Sequence, residues 1–179
     1  MPDGRRITII ALIWNIPNGG ESLIKILFVC LGNICRSPTA EGVFRALVDR
    51  EGLSGQISAD SAGVGNWHIG NPPDRRATAA ARGRGIDISS QRARQAKAQD
   101  FHRFDYVIAM DSENHHALSA LCPTGQTDRL YTFMQFAPHL GSGDVPDPYY
   151  GGDNGFEVVL DMIEAASAGL LADIRAKHP

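Results

Sequence analysis

The sequence predicts an α/β fold: one domain, a three-layer sandwich in which a four-stranded parallel sheet carries helices on both faces. Three observations predict it. Short apolar runs alternate along the chain with amphipathic stretches, the signature of strands and helices in turn. The first and third runs, Ile26–Val29 and Tyr106–Met110, are apolar throughout, as in strands buried on both faces. The 179 residues, 43% of them hydrophobic, suit a single core, and no linker or repeat divides the chain.

Each element has its own signal. Ile24, Ile26, Leu27, Phe28 and Val29 make the first buried strand, and a helix from Pro38 to Arg50 follows, with Ala40, Val43, Phe44, Leu47 and Val48 at helical spacing. Gly52 and Gly55 break that pattern before a second strand, Gln56 to Ser61, and a glycine-rich loop from Gly63 to Asn71. Pro72-Pro73-Asp74 opens an alanine- and arginine-rich helix that ends near Gly83–Gly85, after which Ile86 to Arg94 is irregular. A third strand spans Tyr106–Met110, a helix Ser112–Leu121, and a fourth strand Arg129–Phe133. Pro138 to Gly152 is a long loop dense in glycine, proline and aspartate. In the last helix Phe156, Val159, Leu160, Ile163, Leu170 and Ile174 share one face. Residues 1–23 fit this scheme poorly. Arg5-Arg6 before Ile7 to Trp14 suggests a signal start, but the apolar run is short and Pro17-Asn18-Gly19-Gly20 is no small-residue cleavage site. The expectation is a loosely ordered extension ahead of a domain at 24–179.

Charge and cysteine usage narrow the function. A net charge of −3 gives no basic field for nucleic acid, so an anionic ligand must be drawn by local geometry. No stretch is long enough to span a membrane. Three cysteines, Cys30, Cys35 and Cys122, are too few for a disulfide scaffold and suggest a reducing, cytoplasmic setting. The six histidines lack ligand spacing, and no cysteine pair has a zinc-type partner set, so no metal and no cofactor are expected.

The chemistry concentrates between the first strand and first helix, in C-L-G-N-I-C-R-S at Cys30–Ser37. Backbone N–H groups of such a turn, those of Leu31, Gly32 and Ile34 among them, can converge at a helix N-terminus to form an anion cradle. Cys30 would sit at its base and Arg36 on its rim. Helix N-termini and neighbouring arginines favour a thiolate, the nucleophilic form of cysteine. The planar guanidinium of Arg36 matches two phosphoryl oxygens. Ser37 can donate to the Cys30 sulfur or cap the helix, and Asn33 tolerates left-handed backbone. A buried cysteine that merely packs is the competing reading of Cys30. Cleavage of a phosphate ester also needs an acid for the leaving oxygen. Asp147, in D-P-Y-Y at Asp147–Tyr150, is the candidate; Asp144 competes, and Asp-Pro alone is commonly just a turn. Cys35 lies in the same curled loop as Cys30, close enough for a redox disulfide; packing under the loop is the alternative.

From Ile24 to about Ile174 the chain resembles the low-molecular-weight protein tyrosine phosphatases. The resemblance rests on C-L-G-N-I-C-R-S, D-S-A-G at Asp60–Gly63, I-G-N-P-P-D at Ile69–Asp74, F-D-Y-V-I-A-M-D at Phe104–Asp111 and D-P-Y-Y, in family order. It implies a phosphotyrosine hydrolase with a cysteinyl-phosphate intermediate, acting on phosphotyrosine proteins, with phosphate or vanadate as ligands and no metal or organic cofactor. It implies Cys30 as nucleophile, Arg36 as phosphate clamp and Asp147 as general acid and later base. Asn33 and Ser61 resemble the polar pair that holds the loop, and Trp67, Tyr149 and Tyr150 the aromatic walls. Some members carry a histidine near Arg84 that supports the loop through an aspartate like Asp111, and whether Arg84 pairs with Asp111 is left open by the sequence. Three alternatives stay open. Arsenate reductases of this fold relay through two further cysteines, where this chain has Met110 and a solitary Cys122. Protein arginine phosphatases carry threonine in place of Ile34, and an apolar Ile34 favours an aryl phosphate. A non-catalytic phosphotyrosine-binding module would need neither nucleophile nor acid.

Overall fold

The computed structural model describes residues 23–150 and 154–179, with the Tyr150 side chain left aside. The reading of residues 1–23 as an extension therefore lies, but for Leu23, outside the described residues. Strand β1 (Ile24–Cys30), β2 (Ile57–Gly63), β3 (Tyr106–Ala109) and β4 (Leu130–Thr132) form one sheet in the order β2-β1-β3-β4, all neighbours parallel. Helices α1 (Arg36–Arg50), α2 (Arg75–Gly83), α3 (Asp100–Arg103), α4 (Ser112–Leu121) and α5 (Gly155–Lys177) complete the sandwich. The expected α/β fold with a four-stranded parallel sheet is the observed one.

The side-chain alternation of β1 shows why both faces must be covered. Ile26, Phe28 and Cys30 point into a core shared with Phe44 and Val48 of α1 and Leu160, Ile163 and Leu170 of α5. Leu27 and Val29 point the other way, to Phe101 of α3, Phe104 and Leu118 of α4. Phe28 anchors the larger core, with its ring centroid 5.6 Å from Phe44 and 5.1 Å from Phe133; truncating a side chain so placed costs about 3–5 kcal/mol.

Several boundaries differ from the expected ones. Helix α1 starts at Arg36, two residues before Pro38, because proline is tolerated anywhere in a first turn whose N–H groups have no intrahelical acceptor. Helix α3 is a single turn, too short to show a 3.6-residue period. The long loop holds two 3-10 turns, Pro138–Leu140 and Pro148–Tyr150, and a third, Phe133–Phe136, follows β4 directly.

The sheet's topology sets the site. β1 is central, so Cys30 at its carboxyl end lies where neighbouring crossovers diverge, the usual ligand position in an open parallel sheet. Gly63 ends β2 directly opposite Cys30. A Cβ on Gly63 would meet Leu31 O at 2.9 Å and Asn33 N at 3.0 Å, so only glycine lets the next loop lie this close.

Candidate active site

Residues 31–35 curl between β1 and α1, and the curl depends on Asn33. Its φ is +55°, in the left-handed region that asparagine enters more readily than most residues. Its buried side chain then spends its hydrogen bonds on three segments. Nδ2 donates to Ser37 Oγ and Ser61 Oγ, both at 2.9 Å, and Oδ1 accepts from Arg94 N at 2.9 Å. Below it, Ser61 Oγ donates to Glu41 Oε2 at 2.7 Å. Glu41 is buried, and burial pushes its carboxyl above the usual range, against the opposing pull of its bonds from Ser61 and Arg45. Nothing in the local sequence pattern singled out Glu41 or Arg94; both come to the loop only through folding.

Cys30 Sγ lies inside this curl. It accepts from Asn33 N at 3.2 Å and sits 3.1 Å from Ser37 Oγ. Ser37 does not cap α1. Cys35 holds the cap position, and Ser37 Oγ reaches instead to Cys30 and to Ala62 O, at 3.2 Å. Among the described residues, the N–H groups of Gly32, Ile34 and Cys35 meet no backbone acceptor, so they remain at hand for an anion. Burial, then the nearby Asp74 and Cys30, push the Cys35 thiol up to about 12, so it is a protonated thiol at neutral pH.

Arg36 is almost fully buried, and its guanidinium is divided among three acceptors. Nη1 bonds Asp111 and, at 3.1 Å, Val145 O; Nη2 bonds Asp147 Oδ2 at 3.0 Å. Burial disfavours its charge, but Cys30, Asp111 and Asp147 outweigh that and raise its pKa. Asp111 pairs with Arg36, which answers the open question of an Arg84–Asp111 pair. Arg84, at the end of α2, faces an acidic stripe of α5 and bonds Glu157, Asp161 and Glu164 at 2.7–3.0 Å. Asp111 lies just past the end of β3, within reach of the buried arginine, and there it also caps α4 through Asn114 N.

The long loop brings Asp147 to the same point and leaves Asp144 elsewhere. Asp144 accepts from Ser112 N at 2.9 Å and Ser112 Oγ at 3.0 Å, a structural role at the start of α4. Asp147 Oδ1 accepts from Tyr149 N at 3.0 Å, and its other oxygen faces Arg36. Cys30, Leu31, Gly32, Ile34, Cys35, Arg36, Trp67, Asp147 and Tyr149 line one pocket of about 230 Å³. His68 lines it too, and sequence reasoning missed it. Asn33, Ser37 and Ser61 lie buried beneath the pocket, whereas Trp67 and Tyr149 stand at its mouth, 60% and 42% exposed. The Tyr150 side chain lies outside the described residues. Among the described residues no group of three His, Cys, Asp or Glu side chains is placed to hold a metal, and no helix is long and apolar enough to cross a membrane.

A sulfur at a strand end, unspent amides around it, a buried arginine beside it and a carboxylate across the opening form a cradle for a tetrahedral oxyanion with an acid in reach. Comparison with known proteins identifies the class. Residues 25–179 match the family described as low molecular weight phosphotyrosine protein phosphatase. The low molecular weight protein-tyrosine-phosphatase YfkJ of Bacillus subtilis is 46% identical over 153 residues, 86% of this chain and 97% of its own. Its crystal structure superposes with a TM-score of 0.85 over 90% of this chain and all of that one. The corresponding phosphatase of Streptomyces coelicolor is 47% identical over 156 residues, 84% of this chain and 93% of its own. The crystal structure named DARP, drosophila arginine phosphatase, is similar at 30% identity, with a TM-score of 0.78 over 84% of this chain and 97% of that one. The chain belongs to the low-molecular-weight phosphotyrosine protein phosphatase family, and it is a protein tyrosine phosphatase.

Proposed function

We propose that Cys30 attacks phosphorus, Arg36 holds the phosphoryl oxygens and Asp147 handles the proton. In the first step the Cys30 thiolate forms the S–P bond as the P–O bond to tyrosine breaks. The departing oxygen takes the electron pair and receives a proton from Asp147. Arg36 and the amides around the curl hold the three equatorial oxygens, where charge is spread in the transition state. In the second step water attacks phosphorus and gives its proton to the Asp147 carboxylate. The S–P bond breaks, the sulfur takes the pair, and Ser37 Oγ, 3.1 Å away, can donate to it. The observation that carries this reading is that Asp147, 111 residues beyond Arg36, lines one pocket with Arg36 and Cys30.

The exposed rings of Trp67 and Tyr149 support an aryl phosphate as substrate, since a flat side chain spans the mouth and reaches the sulfur while a phosphoserine is too short. Likeness of fold does not separate tyrosine from arginine phosphatases, since one neighbour is named for arginine. The apolar Ile34 on the pocket wall favours the aryl group, because a guanidinium there would go without a polar partner. The test is turnover of phosphotyrosine, phosphoserine and phosphoarginine peptides with vanadate as inhibitor. Phosphotyrosine should be preferred and vanadate should compete; preference for phosphoarginine would transfer the assignment to that substrate. A cytoplasmic setting belongs to the same reading, since a nucleophilic thiolate needs reducing surroundings. Cys35 is the proposed partner for an oxidised Cys30, and its high pKa implies slow capture.

A further inference from the structure

Arg76 stands on the first turn of α2, its side chain about half exposed, and is not among the residues lining the pocket. Every edge of its guanidinium is nonetheless engaged. Nε and Nη2 donate to the two carboxylate oxygens of Asp74 at 3.1 and 2.9 Å, and Nη1 donates to Tyr149 O at 3.2 Å. Its flat face lies over two rings, 5.2 Å from the centroid of Tyr149 and 4.8 Å from that of Phe156 at the start of α5. Asp74, which caps α2, also donates its own N–H to Ile34 O of the curl at 2.7 Å. One side chain thus ties together the cradle, the beginning of α2, the Asp147 loop and the beginning of α5.

The need for such a tie follows from the double demand on Arg36. Its Nη2 holds Asp147 Oδ2, and a phosphoryl group requires the same guanidinium. As a phosphate dianion takes Arg36, Asp147 loses that anchor at the moment its carboxyl must be aimed at the leaving oxygen. Among the described residues, the side-chain bond that Asp147 keeps is the one from Tyr149 N to its Oδ1, and Arg76 holds the Tyr149 carbonyl.

We infer that Arg76 is a positioning residue for proton transfer: it fixes the Tyr149 backbone on α2 so that Asp147 keeps its aim when Arg36 turns to the substrate. The inference rests on Asp147 being the acid, as proposed above. Arginine suits the place because one planar fork serves a carboxylate and a carbonyl while its face covers two rings; lysine offers a single ammonium for one of these. As an exposed ion pair the Arg76–Asp74 contact adds little stability by itself, so its loss should leave the protein folded.

The experiment compares kcat/KM for wild type, Arg76→Ala, Arg76→Lys, Asp147→Asn and the Arg76→Ala/Asp147→Asn double variant. The substrates run from dinitrophenyl phosphate, whose leaving group needs no proton, to a phosphotyrosine peptide; Arg76→Gln replaces the alanine variant should that not fold. Misplacing an acid without removing it should lower kcat/KM for the peptide about tenfold and for dinitrophenyl phosphate by less than about twofold. Inhibition by inorganic phosphate should be unchanged, because the cradle is intact. With Asp147 already replaced by asparagine, Arg76→Ala should cost nothing further. Arg76→Lys should recover less than half of the loss on a logarithmic scale. Equal losses at every leaving group, full rescue by lysine, or an undiminished loss beside Asp147→Asn would overturn the role of Arg76. A flat leaving-group profile for Asp147→Asn itself would overturn the acid assignment, and the role of Arg76 with it. A flat profile for Arg76→Ala beside a steep one for Asp147→Asn overturns Arg76 alone.

Discussion

The curl at residues 30–36 and the aspartate loop around 144–150 face each other across one pocket and are held by different means. The curl is buried and fastened from below. Asn33 alone bonds Ser37, Ser61 and the Arg94 backbone, and Gly63 lies against its main chain. The aspartate loop is partly exposed, at Pro146, Asp147 and Tyr149. It is fastened at Val145, whose N–H bonds Met110 O at 2.8 Å and whose carbonyl accepts from Arg36, and farther on by Arg36 at Asp147 and Arg76 at Tyr149. The contrast matches the two tasks proposed for them. Stabilising a phosphoryl transition state calls for donors that do not reorganise. An acid that becomes a base must release one partner and face water in the second step, which suits a group on a loop.

The largest effect should come from the curl's own nucleophile. Cys30→Ser should abolish turnover of p-nitrophenyl phosphate yet leave vanadate and phosphate binding measurable by calorimetry, because the amides and Arg36 remain. Turnover above background would remove Cys30 from its role. Next is the opposite side of the pocket. Asp147→Asn should slow phosphotyrosine cleavage by about 10²–10⁴, with a smaller loss for activated leaving groups, whereas Asp144→Asn should leave kcat/KM within about twofold and shift only the melting temperature. Matching losses at the two aspartates would erase the distinction between them.

The curl's rigidity can be split into its causes. Asn33→Ala leaves Ser61, Ser37 and Arg94 N short of a partner and puts at positive φ a residue that tolerates it less well than asparagine, so urea denaturation should show a loss of about 2–4 kcal/mol. Asn33→Gly removes the same bonds but not the conformational freedom, and should recover about 1 kcal/mol of it. If glycine were no better than alanine, the left-handed backbone would contribute nothing to the cost. The smallest effect lies underneath. The Glu41 carboxyl is raised in the folded state, so its contribution to stability is fully present below the ordinary carboxylate value and is lost as pH rises through the folded value. Stability of the wild type relative to Glu41→Gln should therefore fall as pH rises above the ordinary glutamate value of about 4.3. A rise there would mean that the bonds from Ser61 and Arg45 outweigh burial.

Much of the first region was legible in the chain because its determinants are local. A buried strand, a curl with Cys30 and Asn33 and a helix with Pro38 in its first turn are consecutive, and helical or strand periodicity exposes each flank. The second region was legible only as a loop. Its two aspartates, three residues apart, both lie in turn-like sequence, and only folding turns Asp144 to Ser112 and Asp147 to Arg36. The residues alone made Asp147 the candidate with Asp144 in competition, and resemblance to a family strengthened that choice; it left open an Arg84–Asp111 pair, and in the fold Arg84 meets three carboxylates of α5 instead.

By itself the sequence determined the alternation of strands and helices, the parallel sheet that such alternation requires, and the place of Cys30 at the end of a strand and the mouth of a helix. These follow from periodicity and from steric rules acting over a few residues. Only the tertiary structure decided which carboxylate meets Arg36, that Glu41 and Arg94 support the curl, and that Arg76 reaches the Tyr149 carbonyl. Those partners stand 20 to 111 residues apart, from Glu41–Ser61 to Arg36–Asp147. Contacts of that kind have no local signature, because they exist only once the sheet has set its strand order and its crossovers have brought the loops to one end.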